Sequence, residues 1–194
     1  LHVFDAYGTL FDVASAVRRL APRIGPKADA LAALWRAKHL EYTWVRTLGG
    51  LPWRDFHALM VEALGFATTS LGVEDRDGLV RDLVALQDTP EAFPEVPAAL
   101  ASAKAGGARL AVLSNGTGAM LASALGAAGL APLFEAVISV DEVRRHKTAP
   151  EVYALATARH ADMPVTFYSS NRGDVAAARA AGWRVVWVNR SGAP

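Results

Sequence analysis

Short apolar runs alternate with helical patterns through the second half of the chain, and this alternation limits the possible folds more than any other feature. Strand–helix–strand units with right-handed crossovers produce a parallel sheet. A further short strand at 2–5 opens the chain. The sequence therefore predicts an α/β fold with a Rossmann-like, doubly wound parallel sheet. The later predicted strands are 109–113, 135–140, 165–168 and 184–188, and the helices between them are 118–125, 150–160 and 175–181.

Residues 12–89 have no strand pattern and instead repeat apolar residues at helical spacing. The first predicted helix includes 30–48. The second is predicted to begin near Pro52, which suits a first helical turn, and to end before Gly65. The third covers about 75–86. We predict an all-helical cap domain at 12–89, inserted into a core domain formed by 1–11 and 90–194.

The charge balance argues against two classes of partner. The 194 residues include 20 basic and 19 acidic side chains, for a net charge of +1, so no nucleic-acid or membrane-surface partner is expected. We see neither an apolar run long enough to span a bilayer nor a signal-peptide pattern in the first residues. The sequence contains no cysteine, which excludes thiol chemistry and fits a cytoplasmic enzyme.

Polar residues stand at or after the ends of four predicted strands. They are Asp5, the pair Ser114-Asn115, Lys147 and the run 169–174. Singly, each has an ordinary explanation as a turn residue, a helix cap or a solvated lysine. However, the carboxyl ends of parallel strands meet at one edge, where open α/β sheets bind ligands. There Lys147 would hold Asp5 ionised, and therefore nucleophilic.

Together, these strand ends resemble the motifs of the haloacid dehalogenase superfamily, over essentially the whole chain. Residues 5–13, Asp-Ala-Tyr-Gly-Thr-Leu-Phe-Asp-Val, are similar to its first motif. The second, third and fourth motifs resemble Ser114-Asn115-Gly116, Lys147 and 169–174. Residues 34–44, Leu-Trp-Arg-Ala-Lys-His-Leu-Glu-Tyr-Thr-Trp, are similar to the cap helix of the L-2-haloacid dehalogenase (type II) family. That stretch is the most specific, because it does not belong to the superfamily at large.

Two positions favour a dehalogenase over the phosphatases that dominate the superfamily. A phosphatase of this type has a second Asp two residues after the nucleophile, which protonates the leaving alkoxide; here that residue is Tyr7. It also holds Mg²⁺ with an acidic pair in the fourth motif, and here the expected second acid is Ser170. A halide leaves without a proton. The resemblance therefore implies a metal-independent enzyme with no cofactor.

The resemblance also implies a reaction, the hydrolysis of short 2-haloalkanoic acids. Asp5 would attack C2 from behind the carbon–halogen bond, and water would hydrolyse the resulting ester, so that an (S)-haloacid gives an (R)-hydroxy acid. The catalytic residues carried over are Asp5, Lys147, Asp174, Ser169, Asn171 and Thr9. The substrate-binding residues are Arg36 and Asn115 for the halide, Ser114 for the carboxylate, Tyr153 for the polar network, and Tyr7, Leu40 and Phe56 for the alkyl group.

Several alternatives stay open. Leu40 and Phe56 fit simple packing within the cap equally well. Thr148 and Gly173 stand where the family commonly has a proline and an aromatic residue. The apolar stripe at 31–48 permits the homodimer that the resemblance implies, but it also fits packing inside the cap. The competing functions are a phosphatase or other hydrolase on the same scaffold and a non-catalytic binding module, and the complete polar set argues against the latter.

Overall fold

The computed structural model describes residues 1–75, 78–160, 163–190 and 192–194. Its strands are β1 (His2–Phe4), β2 (Leu110–Ser114), β3 (Ala136–Ser139), β4 (Thr166–Ser169) and β5 (Arg184–Trp187). Within the described residues they form one parallel sheet in the order β3-β2-β1-β4-β5. The chain builds outwards from β1 first on one side and then on the other, so a topological switch point lies between β1 and β4. The predicted α/β class is confirmed.

Residues 12–89 are helical wherever the structure assigns them a regular element. The helices are α1 (Ser15–Arg19), α2 (Ala21–Ile24), α3 (Ala28–Leu48), α4 (Phe56–Leu71) and α5 (Leu79–Gln87). The long α3 packs against α4, and Trp35 donates its ring N–H to the backbone oxygen of Met60 at 2.9 Å. Leu31 and Leu64 are fully buried in the same apolar cluster. The division of the chain into cap and core domains remains a prediction.

The side chains of β2 alternate between two apolar clusters, one on each face of the sheet. Leu110 and Val112 belong to one cluster, and Ala111 and Leu113 to the other. All four are buried, as expected in a parallel sheet covered on both faces. The remaining helices are α6 (Val96–Ala105) and α7 (Gly118–Ala127) against the first cluster, and α8 (Pro150–Arg159) and α9 (Arg172–Ala180) against the second.

Both predicted ends of α4 are wrong. The helix begins at Phe56 rather than near Pro52, because the Asp55 side chain caps its first turn. It continues through Gly65 and ends at Leu71, after which Gly72 caps it with a left-handed backbone, φ +58°. A glycine inside a helix costs about 1 kcal/mol relative to alanine. Burial of the apolar residues around it outweighs that cost.

Smaller differences affect two other helices. The predicted helix at 75–86 corresponds to α5, which begins at Leu79, and positions 76 and 77 lie outside the described residues. Helix α9 begins at Arg172 rather than at 175, because the Asn171 side chain caps it by accepting the backbone N–H of Gly173 at 2.9 Å. In the described part of the chain, no helix combines the length and the apolar character needed to cross a membrane.

Candidate active site

The loop after β1 holds the Asp5 side chain in a defined orientation. Thr9 donates its hydroxyl to Asp5 Oδ2 at 2.9 Å and accepts the backbone N–H of Ser170 at 2.9 Å. Gly8 makes the intervening turn with φ of +92°, a conformation that glycine adopts readily and other residues do not. A Cβ atom on Gly8 would also lie 3.1 Å from Arg36 Nη2. Glycine is therefore needed both for the turn and for the approach of the arginine.

Lys147 connects two buried carboxylates at the switch point. Its Nζ lies 3.1 Å from Asp5 Oδ1 and 2.8 Å from Asp174 Oδ2. Burial alone would lower the pKa of Lys147, but the attraction of Asp174 and Asp5 raises it above its ordinary value. The lysine is therefore a cation that compensates one of the two negative charges. Because buried ion pairs contribute little net stability, this arrangement suits chemistry better than structural support.

Groups on two sides position Asp174. The Asn171 side chain accepts the backbone N–H of Asp174 at 3.4 Å, and Tyr153 donates its hydroxyl to Asp174 Oδ1 at 2.7 Å. Burial raises the pKa of Asp174, the nearby Asp5 adds to that rise, and Lys147 opposes it. Asp174 therefore binds a proton more tightly than an ordinary aspartate. A base that takes a proton from water benefits from such a shift.

The end of β2 contributes a hydroxyl and an amide. Ser114 Oγ accepts the backbone N–H of Gly116 at 3.1 Å, so its own hydrogen can be donated to an anion. Asn115 Oδ1 accepts the backbone N–H of Lys147 at 2.8 Å, which leaves the amide NH₂ group as a donor. A Cβ atom on Gly116 would lie only 2.7 Å from Tyr7 Cε2. Glycine at this position therefore allows Tyr7 to pack beside the second motif.

One face of α3 closes the site opposite the sheet. Arg36, Leu40 and Trp44 follow one another at four-residue spacing and therefore lie on one side of the helix. Arg36 donates from Nη2 to the backbone oxygen of Tyr7 at 2.9 Å, which ties α3 to the loop after β1. The rings of Tyr7 and Phe56 pack with their centroids 5.7 Å apart. The cavity between these elements is lined by Asp5, Tyr7, Arg36, Leu40, Trp44, Phe56, Ser114, Asn115, Lys147, Thr148, Asn171 and Asp174.

Most of the predicted site residues line this cavity. Thr9, Ser169 and Tyr153 do not; they lie behind it and contact the carboxylates, with Ser169 Oγ 3.4 Å from Asp5 Oδ2. Phe56 both lines the cavity and is buried with 3% exposure, so packing and substrate contact are compatible at this position. The roles of all these residues remain predictions.

Sequence reasoning missed three contributors to the site. Trp44 and Thr148 line the cavity, and the four-residue spacing after Leu40 was a usable signal for Trp44. Arg190, which follows β5, donates two hydrogen bonds to the backbone oxygen of Thr9, at 2.6 and 3.2 Å. No local pattern indicates this last contact, because only the order of the strands brings the two residues together.

A doubly wound parallel sheet with a buried carboxylate–lysine–carboxylate group at its switch point defines an α/β enzyme with a polar, enclosed site. Ligands of such sheets bind beyond the carboxyl ends of the strands, where this cavity lies. The chain belongs to the haloacid dehalogenase-like hydrolase family, whose model matches residues 1–182.

Similar proteins agree with this assignment. The chain is 43% identical over 194 residues to (S)-2-haloacid dehalogenase 1 of Pseudomonas sp. (strain CBS-3), covering 99% of this chain and 85% of that protein. A crystal structure of a dehalogenase has a TM-score of 0.95 at 41% identity, covering 100% of this chain and 86% of that one. The structure of L-2-haloacid dehalogenase from Xanthobacter autotrophicus with chloropropionic acid covalently bound has a TM-score of 0.88 at 36% identity. That match covers 97% of this chain and 77% of the other. The resemblance inferred from the motifs is confirmed.

Proposed function

We propose that this protein is an (S)-2-haloacid dehalogenase, which hydrolyses short 2-haloalkanoic acids to (R)-2-hydroxy acids and halide. The observation that carries the proposal is the buried contact of Lys147 with both Asp5 and Asp174. It supplies a nucleophile paired with a cation and a second carboxylate as base, with Tyr7 in place of an acid for the leaving group. The names of the similar dehalogenases support the same reaction.

In the first step, Asp5 attacks C2 of the substrate on the side opposite the halogen. A carboxylate oxygen forms a bond to C2 while the carbon–halogen bond breaks, and the bonding electron pair leaves with the halide. The product is an ester of Asp5 with C2 inverted. Thr9 and Lys147 contact different oxygens of this carboxylate, so its orientation is held before the attack, which lowers the entropic part of the barrier.

The substrate carries a carboxylate and the reaction releases a halide, and each of these anions needs a hydrogen-bond donor. Arg36 and the NH₂ group of Asn115 would receive the halide. Ser114, with the neighbouring backbone N–H groups, would receive the carboxylate. Arg36 bridges from α3 to the loop that carries Asp5 and lines the cavity, which supports this role for its charge. Donors that are already oriented toward developing charge stabilise the transition state without reorganisation.

In the second step, water attacks the ester carbonyl carbon of Asp5 rather than C2. Asp174 accepts a proton from the water and returns it to the leaving alkoxide as the bond from this carbon to the ester oxygen on C2 breaks, and the regenerated Asp5 carboxyl releases its proton to solvent. The product hydroxyl oxygen therefore comes from Asp5, and the oxygen of water remains in the Asp5 carboxylate. Because this step does not touch C2, the inverted configuration persists.

Replacing Tyr153 by Phe is expected to move the acidic limb of the pH–kcat profile to higher pH. The hydrogen bond from Tyr153 stabilises the ionised form of Asp174, so its loss raises the pKa of this carboxylate further. A hydrogen bond to a charged group is worth about 1.5–3 kcal/mol, which corresponds to about one to two pH units. Activity disappears as the pH falls through this pKa, because protonated Asp174 cannot accept a proton. An unmoved limb in steady-state kinetics would contradict the role of Asp174 as base.

A phosphatase on the same scaffold fits these residues less well. Burial raises the pKa of Tyr7, and Asp88 and Asp5 raise it further, so Tyr7 is a poor proton donor to a leaving alkoxide. Across the described ranges, no group of three or more His, Cys, Asp or Glu side chains is placed to hold a metal ion. Both carboxylates of the site contact Lys147 instead.

Halide release from the two enantiomers of 2-chloropropionate, with and without a chelator, tests the proposal. We expect release from the (S)-enantiomer only, formation of (R)-lactate, and no effect of EDTA. Ion chromatography measures the halide and chiral chromatography identifies the product. Turnover of a phosphomonoester that depends on Mg²⁺, without halide release from either enantiomer, would favour the phosphatase instead.

A homodimer in the cytoplasm is the proposed state of the enzyme. The end of α3 and the segment after it carry exposed apolar side chains, with Val45 at 52%, Leu48 at 84% and Leu51 at 47% exposure. The beginning of α3 packs inside, since Leu31 and Trp35 are buried. Apolar surface of this kind supports association through the helices of 12–89, as the family resemblance implies.

The variant Leu48→Glu is expected to shift the protein from dimer to monomer. A charge at the most exposed of these apolar positions would have to be desolvated in the contact, which is unfavourable. Sedimentation velocity at several concentrations gives the masses. The variant Glu151→Gln, which removes an exposed charge in the first turn of α8, serves as the comparison. A monomeric wild type would contradict the proposal.

A further inference from the structure

Gly173 leaves an open position beside the base of the proposed reaction. It precedes Asp174 in the first turn of α9. A Cβ atom at Gly173 would lie 3.3 Å from Asn171 Oδ1, 3.9 Å from Thr148 Cγ2 and 4.0 Å from Trp44 Cζ2. The edge of the Trp44 ring, which belongs to α3, therefore stands over the place that a side chain at 173 would occupy.

Trp44 differs from the other aromatic residues of the cavity in how it is held. Tyr7 and Phe56 are only 5% and 3% exposed, whereas Trp44 is 38% exposed. Tyr7 and Phe56 are packed into the buried cluster and into each other. Trp44 lines the cavity and keeps more than a third of its surface exposed. Its ring can therefore turn away without opening the core, which the other two rings cannot do.

The cavity offers little spare space around a bound molecule. The region within which the centre of a water molecule can move measures only about 20 Å³, so the walls lie close to any small molecule that enters. Each added methylene of the alkyl group of a bound 2-haloacid must therefore be accommodated by the surrounding wall. The part of the wall that moves most easily therefore decides how long an alkyl group can fit.

We propose that Trp44 is a specificity-determining residue, which forms the movable wall of the cavity above Gly173 and limits the length of the alkyl group on C2. This inference rests on the proposed dehalogenase function. The indole ring presents a large apolar surface to a short alkyl group. A longer alkyl group must either displace the Trp44 ring into water or pack its own methylenes poorly against the wall. Gly173 contributes to the same wall, because any larger side chain at this position would compete with the Trp44 ring for space.

The variant Trp44→Ala tests this inference with substrates that share a leaving group. We expect the ratio of kcat/KM for (S)-2-bromohexanoate to that for (S)-2-bromopropionate to rise about tenfold over wild type, the lower end of the effect of a methylene in an apolar pocket. Phe66→Ala is the matched control, since Phe66 is an aromatic residue of 42% exposure that does not line the cavity. Its ratio should equal that of wild type.

Gly173→Leu provides a second measurement, whose first part does not require Trp44→Ala to fold. With Trp44 present, the leucine should lower kcat/KM for 2-bromohexanoate about tenfold more than for 2-bromopropionate. In the double variant Trp44→Ala, Gly173→Leu, that selective loss should be relieved, because the two side chains share one space. The inference would be overturned if wild type and Trp44→Ala had the same ratio of kcat/KM for the two substrates. It would also be overturned if Gly173→Leu lowered kcat/KM equally for both substrates and the added Trp44→Ala change did not restore it. Absence of halide release by wild type would overturn the proposed function itself.

Discussion

Replacement of Asp5 by Asn is expected to lower kcat/KM for (S)-2-chloropropionate by at least about 10⁴-fold, since the reaction is routed through a covalent bond to this residue. The amide is uncharged and a far weaker nucleophile than the carboxylate. The substitution keeps the shape of the side chain; its oxygen can still accept from Lys147, and the Thr9 hydroxyl can turn to accept from the amide NH₂. The loss should therefore appear in halide release while the thermal unfolding temperature changes little.

Asp12→Asn is the matched control for this variant. Asp12 is another aspartate of the same loop region, but it pairs with the exposed Arg18 at 2.6 Å and does not line the cavity. Its variant should retain wild-type kinetics.

A single turnover of wild type in ¹⁸O-water with enzyme in excess should place the label in the peptide that contains Asp5, and leave the product unlabelled. Product labelled directly from water would contradict the ester.

Replacement of Lys147 by Met is expected to lower halide release by about 10³-fold or more and to destabilise the fold by about 3–5 kcal/mol. The methionine fills a similar volume but leaves Asp5 and Asp174 buried together without a cation. Two carboxylates so close cannot both stay ionised. At least one would hold a proton, and the site would lose either its nucleophile or its base. Urea unfolding and ion chromatography measure the two effects.

The destabilisation by Lys147→Met should depend on pH in a defined direction. Without the cation, the pKa of a buried carboxylate lies above its value in the unfolded chain. The folded variant is then most stable below the unfolded value, and it loses stability as the pH rises through the raised folded-state pKa. The deficit relative to wild type should thus be smaller in acid than at neutral pH. Lys104→Met, at an exposed lysine, should show neither effect; equal deficits at both pH values would contradict the argument.

The strands and the motifs of this protein could be predicted because their signals are local. The apolar run of 110–113 and the polar residues after it are adjacent in sequence, and the observed strand differs from the prediction by one residue at each end. The ends of α4 could not be placed in the same way. Pro52 and Gly65 are strong local signals, but the Asp55 cap and the burial of α4 against α3 outweighed them.

The sequence by itself determined the class of fold, the family and the identity of most residues in the cavity, because each motif is a short run whose chemistry can be interpreted without distances. The tertiary structure alone decided the contacts between motifs. Lys147 reaches Asp5 across 142 residues, and Arg190 reaches Thr9 from the other end of the chain. The position of the Trp44 ring over Gly173 is another arrangement that joins residues far apart in the sequence. Strand order and the packing of α3 over the sheet set these distances, and both depend on the summed burial of many side chains rather than on any local pattern.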